Sequence, residues 1–396
     1  MTITVHGKRN TAIMKRIMVF GSTGSVGNNA LGVIKKAKGK FRVLGLCANS
    51  DTQALCRQIK EFRPAYVCIK DEAAAKKLPA NLKRKIKLFT GEEGLAEFAA
   101  INCDISLMAI SGISCLKPLL INIKHTKRIA LANKESLVTG GSLVFKAAKK
   151  YNTQILPVDS EINALFQLVM DKKEKTNEFS KVYLTASGGA LSGYSKKDLA
   201  KVTPQRVLAH PTWKMGKRIT VDCATLVNKG FEVIETHFFF GLPYEKIGIV
   251  IHKESIAHAL VEYDDNTLLS CLYPPDMKMP ISFALYYPKR FCSGKNENFK
   301  HDMSLSFAPI QYNKYPLLKV ILAAAKRKDN SLVVLNACDE VAIDWFLKKK
   351  IKFTDMHKVF KYIFANYPSC KVRKIEDVLY WDRWGRKKTE EYLTKL

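Results

Sequence analysis

From Lys15 to about Val158 the chain repeats one pattern, a short apolar run followed by a stretch with three-and-four hydrophobic spacing. The runs RIMVF, FRVLGLC, AYVCI, IKLF, ISLMAI, RIALA and TQILPV alternate with spacers such as CRQIKEF. Apolar runs of this kind suit strands buried on both faces, and helical spacers return the chain so that successive strands run the same way. The alternation predicts an α/β, doubly wound, Rossmann-like domain over residues 15–158, with helices on both faces of a parallel sheet.

The pattern changes after Asp159. An apolar helix is expected near 160–170, then a polar stretch, the strand VYLTAS and the loop GGALSG. Alternating strands near 246–251, 257–263 and 267–272 point to a central α+β domain with a mixed sheet, spanning 159–290. Residues 291–314 read as an irregular polar connector. Residues 315–396 read as a C-terminal helical domain, with a very basic end and three of the four tryptophans.

The first strand runs into GSTGSVG, with Gly21, Gly24 and Gly27, and then into an amphipathic helix. Glycines there permit a tight turn and close backbone approach. The helix start offers free N–H groups and a positive dipole end to a phosphate, so a dinucleotide is expected, with a merely tight turn as the alternative. The second strand ends in CANSD without an acid at its tip, which leans toward NADP over NAD, although no arginine stands there and Asp51 is a poor neighbour for an extra phosphate.

Three further stretches carry candidate chemistry. ANKESLV places Asn133, Lys134 and Glu135 at the carboxyl end of a parallel strand, where ligands bind in such sheets; a solvated helix start reads equally well. PVDSEINALF sets Asp159 and Glu161 two apart at the end of an apolar run, either as half of a cation site or around a helix cap formed by Asp159 or Ser160. HPTWKMGKR, with His210 and Trp213, reads as a lid near 209–218, and VDCATLVNKGFE puts Asn228 and Glu232 on one helical face. Glu232 is either a salt-bridge partner or the third carboxylate of a hard-cation site suited to magnesium or manganese.

Composition narrows the classes. No apolar run approaches the roughly 18–20 residues of a membrane span. The ten cysteines are scattered without a CxxC, which fits a reducing compartment and neither a zinc ribbon nor a redox pair. The net charge of +29 suits nucleic acid, yet Lys outnumbers Arg 51 to 14 over the whole length, so a solvated basic surface that steers an anionic substrate is favoured. The basic N-terminus lacks the apolar segment of a secretion signal, and a cytoplasmic address is expected.

Taken in order, GSTGSVG, ALANKESLV, PVDSE, TASGG, HPTWKMG, NKGxE and PDMKMP resemble the 1-deoxy-D-xylulose 5-phosphate reductoisomerase family. The resemblance implies NADPH reduction of a rearranged ketose phosphate to 2-C-methyl-D-erythritol 4-phosphate, and a homodimer. It implies a divalent cation, Mg2+ or Mn2+, on Asp159, Glu161 and Glu232. It implies nucleotide contacts from Thr23, Gly24, Ser25, Val26, Asn133, Glu135 and Gly216. Substrate contacts are implied for Lys134, Ser160, Glu161, Ser187, His210, Cys223, Asn228, Lys229 and Glu232, with Lys134, Glu161 and His210 catalytic. Three departures stand out: Cys223 where the family usually has a phosphate-binding serine, NSD after the second strand, and LNACDE in place of a more usual Asn-Glu pair. The competing readings are a simple NAD(P)-dependent dehydrogenase of another phosphorylated substrate and a basic nucleic-acid-binding protein.

Overall fold

The structure, a computed structural model, describes residues 14–170, 179–209, 213, 215–291 and 302–396. All seven expected runs form strands: β1 (Lys15–Phe20), β2 (Phe41–Ala48), β3 (Tyr66–Ile69), β4 (Lys87–Thr90), β5 (Cys103–Met108), β6 (Thr126–Leu131) and β7 (Gln154–Pro157). They pair in parallel in the order β4-β3-β2-β1-β5-β6-β7. Ile17, Val19, Leu46, Val67 and Leu107 are fully buried on one face and Met18, Phe20, Cys68 and Met108 on the other, so both faces of the sheet are covered. Strand order reverses between β1 and β5, and the carboxyl ends of those two strands therefore open a crevice.

A second, mixed sheet has the order β11-β10-β8-β9-β12, built from β8 (Phe179–Ala186), β9 (Ile247–Ile251), β10 (Ala257–Tyr263), β11 (Leu268–Leu272) and β12 (Ala308–Pro309). β8 and β9 are parallel; the other pairs are antiparallel. β12 lies within the stretch expected to be an irregular connector, where Ala308 pairs with Ile251 and Pro309 with Val250. Two residues leave no alternating pattern, and a proline is tolerated because this strand is the sheet's edge.

Helix Lys278–Tyr286 follows the second sheet in sequence but packs on the first. Its Ile281, Ala284 and Leu285 are completely buried in the same core as Ile17 and Leu156, and Tyr286 meets Phe41 edge-on at 5.1 Å. Burying Ile281 and Leu285 stabilises the contact by about 1.5–3 kcal/mol each. The C-terminal segment is helical as expected: Pro316–Ala325, Ser331–Leu347, Asp355–Asn366 and Ile375–Leu393. These helices share a core with Val221, Phe231 and Ile234 of helices Lys217–Thr225 and Val227–Phe240. Among the described residues no helix is long and apolar enough to cross a membrane.

Candidate active site

The glycine loop after β1 divides into two roles. A Cβ on Gly21, whose φ is +80°, would sit 2.3 Å from the Ala109 carbonyl oxygen, and one on Gly27 would sit 2.3 Å from that of Gly21. Packing alone requires both glycines. A Cβ on Gly24 would lie 3.4 Å from its nearest neighbour, so the fold does not demand glycine there. Gly24 is the N-cap of helix Ser25–Lys36, and no side chain caps that helix. The free end is a ready anion site, and Ser25, Val26 and Asn29 face the cleft described below. At the tip of β2, Asp51 is turned away as a helix cap, with its Oδ1 accepting from the Ala54 N–H at 2.9 Å.

The cleft holds about 430 Å³ between the two sheets. Strand ends and helix starts deliver its polar groups: Lys134 follows β6, Asp159 follows β7, Glu161 opens helix Ser160–Val169, and Ser187 follows β8. Asn228, Lys229 and Glu232 come from the first two turns of helix Val227–Phe240. That helix is set by Leu226, whose left-handed backbone (φ 58°) breaks it from helix Lys217–Thr225 so that Cys223 and Asn228 line one cavity. A left-handed leucine costs on the order of 1–2 kcal/mol, and such strain concentrates at functional sites.

Asp159, Glu161 and Glu232 offer carboxylate oxygens that all lie within 4.8 Å of one another. Two buried ammonium groups sit among them. Lys134 Nζ donates to Asp159 Oδ2 at 2.6 Å, Glu232 Oε1 at 3.0 Å and Asn228 Oδ1 at 2.7 Å. Lys229 Nζ donates to Glu161 at 2.8 Å and also to Glu232. Burial opposes the charge on Lys134, but Asp159 and Glu232 overcome it and hold its pKa well above the ordinary lysine value. Burial likewise opposes ionisation of Glu161, yet Lys229 brings its carboxyl down to about 2. Glu232, buried and repelled by Asp159 and Glu161, is pushed up to about 7.

These residues fit a divalent cation. Three carboxylates against two ammonium groups leave negative charge uncompensated, and Asp159 Oδ1 is buried with no hydrogen-bond partner. The donors are hard oxygens, as magnesium or manganese requires. The capping alternative for Asp159 is not realised: it occupies the N-cap position, but its side chain makes no capping bond and points to Lys134. Ser160 is the first helical residue, and its hydroxyl donates to Glu161.

The other candidates fall into place unevenly. Ser187, Gly216 and Cys223 line the cleft, and burial, with Glu232 next, pushes the Cys223 thiol up, so it is a neutral thiol at ordinary pH. Of the expected lid, Trp213, Met215 and Gly216 face the cleft. His210 lies outside the described residues. Asn133 and Glu135 are engaged with the chain itself. Asn133 Nδ2 donates to the Ile110 and Gly112 carbonyls and to Glu135 Oε2, while its Oδ1 accepts from the Ser136 N–H. Both hold the loop that follows β5.

One cleft residue, and the tyrosine packed behind it, gave no signal in the sequence. His258 sits on β10, 2% exposed, with Nε2 3.1 Å from the Tyr273 carbonyl oxygen and its ring stacked on Tyr273 at 4.0 Å. Burial depresses its pKa below the ordinary histidine value. Its ring lies 6.3 Å from that of Trp213. Tyr273 in turn donates its hydroxyl to the Ser160 carbonyl at 2.6 Å, fixing the helix that carries Glu161. A lone histidine in AHALVEY looks like any core histidine; only the packing of helix Ser160–Val169 on β10 brings it to the acids.

The sequence matches the family described as 1-deoxy-D-xylulose 5-phosphate reductoisomerase over residues 17–141, its C-terminal domain over 155–240, and a further DXP reductoisomerase C-terminal domain over 272–388. A reductoisomerase of that name from Thermodesulfovibrio yellowstonii is 43% identical over 376 residues, 94% of this chain and 98% of that protein. One from Proteus mirabilis is 36% identical, covering 97% of this chain and 100% of its own length. Among solved structures, the Zymomonas mobilis reductoisomerase in complex with NADPH superposes with a TM-score of 0.88 at 32% identity, covering 97% of this chain and 100% of that one. A reductoisomerase solved with NADPH, fosmidomycin and magnesium has the same TM-score at 33% identity, covering 96% and 98%.

Proposed function

Because the chain belongs to the 1-deoxy-D-xylulose 5-phosphate reductoisomerase family, we propose that its cleft carries out that family's NADPH- and divalent-cation-dependent rearrangement and reduction, with the following residues in the following roles. When bound, the cation supplies Lewis-acid polarisation of the substrate carbonyl and NADPH supplies hydride. Asp159, Glu161 and Glu232 hold the cation, and the observation that carries this is the convergence of their carboxylate oxygens, with Asp159 Oδ1 buried and unpartnered. Thr23, Gly24, Ser25 and Val26 present the free helix start to the nucleotide's phosphates, and Gly216 closes that side. Asn133 and Glu135 serve the nucleotide by shaping the loop after β5.

Lys134 carries a fixed positive charge between Asp159, Asn228 and Glu232, where it orients the reacting oxygens of the substrate and restrains the carboxylates. Lys229, Ser187, Asn228 and Cys223 bind the substrate's anionic end. His210, on the strength of the resemblance, contacts substrate from the lid segment, and Trp213 covers the cleft against water beside His258. His258, kept neutral by burial, faces the acids without a positive charge that would compete with the cation for them.

The protein is proposed to be a homodimer. The outer edge of the mixed sheet is apolar and open, with Leu268 57%, Leu269 40% and Leu272 47% exposed on β11. Such an edge needs cover, and a second copy supplies it. A cytoplasmic location accords with the nine described cysteines, all of them free. The deciding experiment is NADPH consumption with 1-deoxy-D-xylulose 5-phosphate, with and without Mg2+ or Mn2+. Turnover that needs both the ketose phosphate and the cation is expected; cation-independent NADPH oxidation of another substrate overturns the reading.

A further inference from the structure

Arg218 lies on helix Lys217–Thr225, on the side away from the cleft, at the centre of a buried cluster of charges. Its Nη1 is 2.7 Å from Glu340 Oε1 and 3.0 Å from Glu135 Oε1. Its Nη2 donates to Asn336 Oδ1 at 3.1 Å and lies 3.4 Å from Asp339 Oδ2. Asp222 stands 3.8 Å from its Nε. Glu340 is held in turn by Arg386, which also binds Asp382. Apart from Glu135, no residue of this cluster has a role assigned above, and Asp339 belongs to the LNACDE stretch that departs from the family pattern.

The two carboxylates that grip Arg218 Nη1 also grip the loop after β5. The Gly112 N–H donates to Glu135 Oε1 at 3.2 Å, and the Ile113 N–H donates to Glu340 Oε1 at 3.3 Å. Gly112 has φ +72°, and a Cβ there would meet Glu340 Oε1 at 2.7 Å and Arg218 Nη1 at 3.2 Å. The loop thus lies directly on the ion pairs. It is also one wall of the crevice between β1 and β5, touching the glycine loop through Ala109. The helix that carries Arg218 presents Ile219 and Cys223 to the substrate side of the cleft, with Gly216 as its N-cap. A single planar cation therefore joins the nucleotide wall, the substrate wall and the C-terminal helices.

We propose that Arg218 is a positioning residue that couples nucleotide binding in the β1–β5 crevice to substrate binding in the cleft. Ordering the 109–113 loop around a nucleotide fixes Glu135 and Glu340. The guanidinium fork then fixes helix Lys217–Thr225 and the wall that meets the substrate. A planar, multiply bonded guanidinium transmits such a constraint because it cannot rotate about one bond without breaking the others. By linkage the coupling acts equally in both directions. The inference rests on the assignment of the cleft given above; turnover by the parent enzyme tests that assignment, and the coupling measurement tests Arg218.

The measurement is the Kd of fosmidomycin for the Mg2+-loaded protein with and without saturating NADPH, by calorimetry, in the parent, Arg218→Met, Arg218→Lys and Glu340→Gln. The parent is expected to bind the phosphonate about five-fold or more tightly with nucleotide present. In Arg218→Met and Glu340→Gln that ratio should fall to within about two-fold of unity, with fosmidomycin affinity in the absence of nucleotide largely kept, and Arg218→Lys should recover part of it. Should Arg218→Met fail to fold, Glu340→Gln, which keeps the shape of the side chain, decides. A parent-like ratio in Glu340→Gln overturns the proposal, as does a parent that shows no coupling. A loss of affinity that is equal with and without nucleotide overturns it too, since that is what a merely structural role would produce.

Discussion

Lys134 Nζ lies 2.6 Å from Asp159 Oδ2, an ion pair that joins the carboxyl ends of the adjacent strands β6 and β7 beneath the proposed cation site. Both side chains are nearly excluded from water, so the pair is not a surface ornament. Removing one partner of a buried pair leaves the other charge stranded, at a cost of about 3–5 kcal/mol. Lys134→Met should therefore lower the melting temperature and abolish turnover. Added Mg2+ should raise that melting temperature more than it raises the parent's, because the cation replaces the missing positive charge. An equal Mg2+ shift in the two proteins would remove Lys134 from the charge balance of the site.

Glu161→Gln should abolish turnover while leaving NADPH affinity, read from nucleotide fluorescence, nearly intact. Glu161 sits on the cation side of the cleft and makes no contact with the glycine loop; its partners are Lys229 and Ser160. An amide keeps the shape but loses one of the three anionic ligands found among the described residues. Full activity at ordinary magnesium concentrations would exclude Glu161 from the site.

Cys223→Ser tests the departure from the family's usual serine. A hydroxyl donates to a phosphate oxygen far better than a thiol. The expected gain of about 1–2 kcal/mol corresponds to a five- to thirty-fold lower KM for the substrate, with the KM for NADPH unchanged. Because burial keeps the thiol protonated, alkylation should be slow near neutrality, accelerate with pH, and be slowed further by bound substrate. An unchanged substrate KM with lost stability would mean that Cys223 is an apolar filler.

Asp339→Asn tests the cluster around Arg218 through pH. Burial raises the Asp339 carboxyl from 3.8 to about 6 against the pull of Arg218, with Asp222 and Glu340 the other charged groups facing it. Burial and Asp339 itself raise Asp222 well above its ordinary value. The folded protein thus binds more protons than the unfolded chain in this window. The associated stability is full below the unfolded pKa and is lost as pH rises through about 6. The Asp339→Asn protein should show a smaller fall in melting temperature between about pH 4 and pH 7, and should melt higher than the parent at about pH 8. Parallel curves for the two proteins would contradict this.

The features that could be read from sequence are those that physics makes local. Runs such as ISLMAI become strands because burial on both faces leaves no other use for them, and the turn between β1 and its helix needs Gly27 for a steric reason within the motif itself, the Gly21 carbonyl. Asp159 and Glu161 were recognisable as a pair, but whether Asp159 would cap its helix turned on Lys134, which lies on another strand end. His258 and Arg218 were not legible because each gains its meaning from partners distant in sequence. Arg218 meets Glu135 and Glu340 from three separate helices, and in sequence it is one more cation in a chain rich in them. β12 escaped notice because two edge residues carry no period.

Helix Lys278–Tyr286 closes the first sheet from a position beyond the second, so the nucleotide-side half of this protein is not a contiguous stretch of chain. Anyone recombining this enzyme with a relative should treat residues 15–158 and Lys278–Tyr286 as one block. A chimera crossed over once near 158 would set a foreign helix against Phe41 and Leu156, whereas a double crossover that carries the helix along would keep the native seam. The spatial unit of inheritance in this fold is written in two separated passages of its sequence.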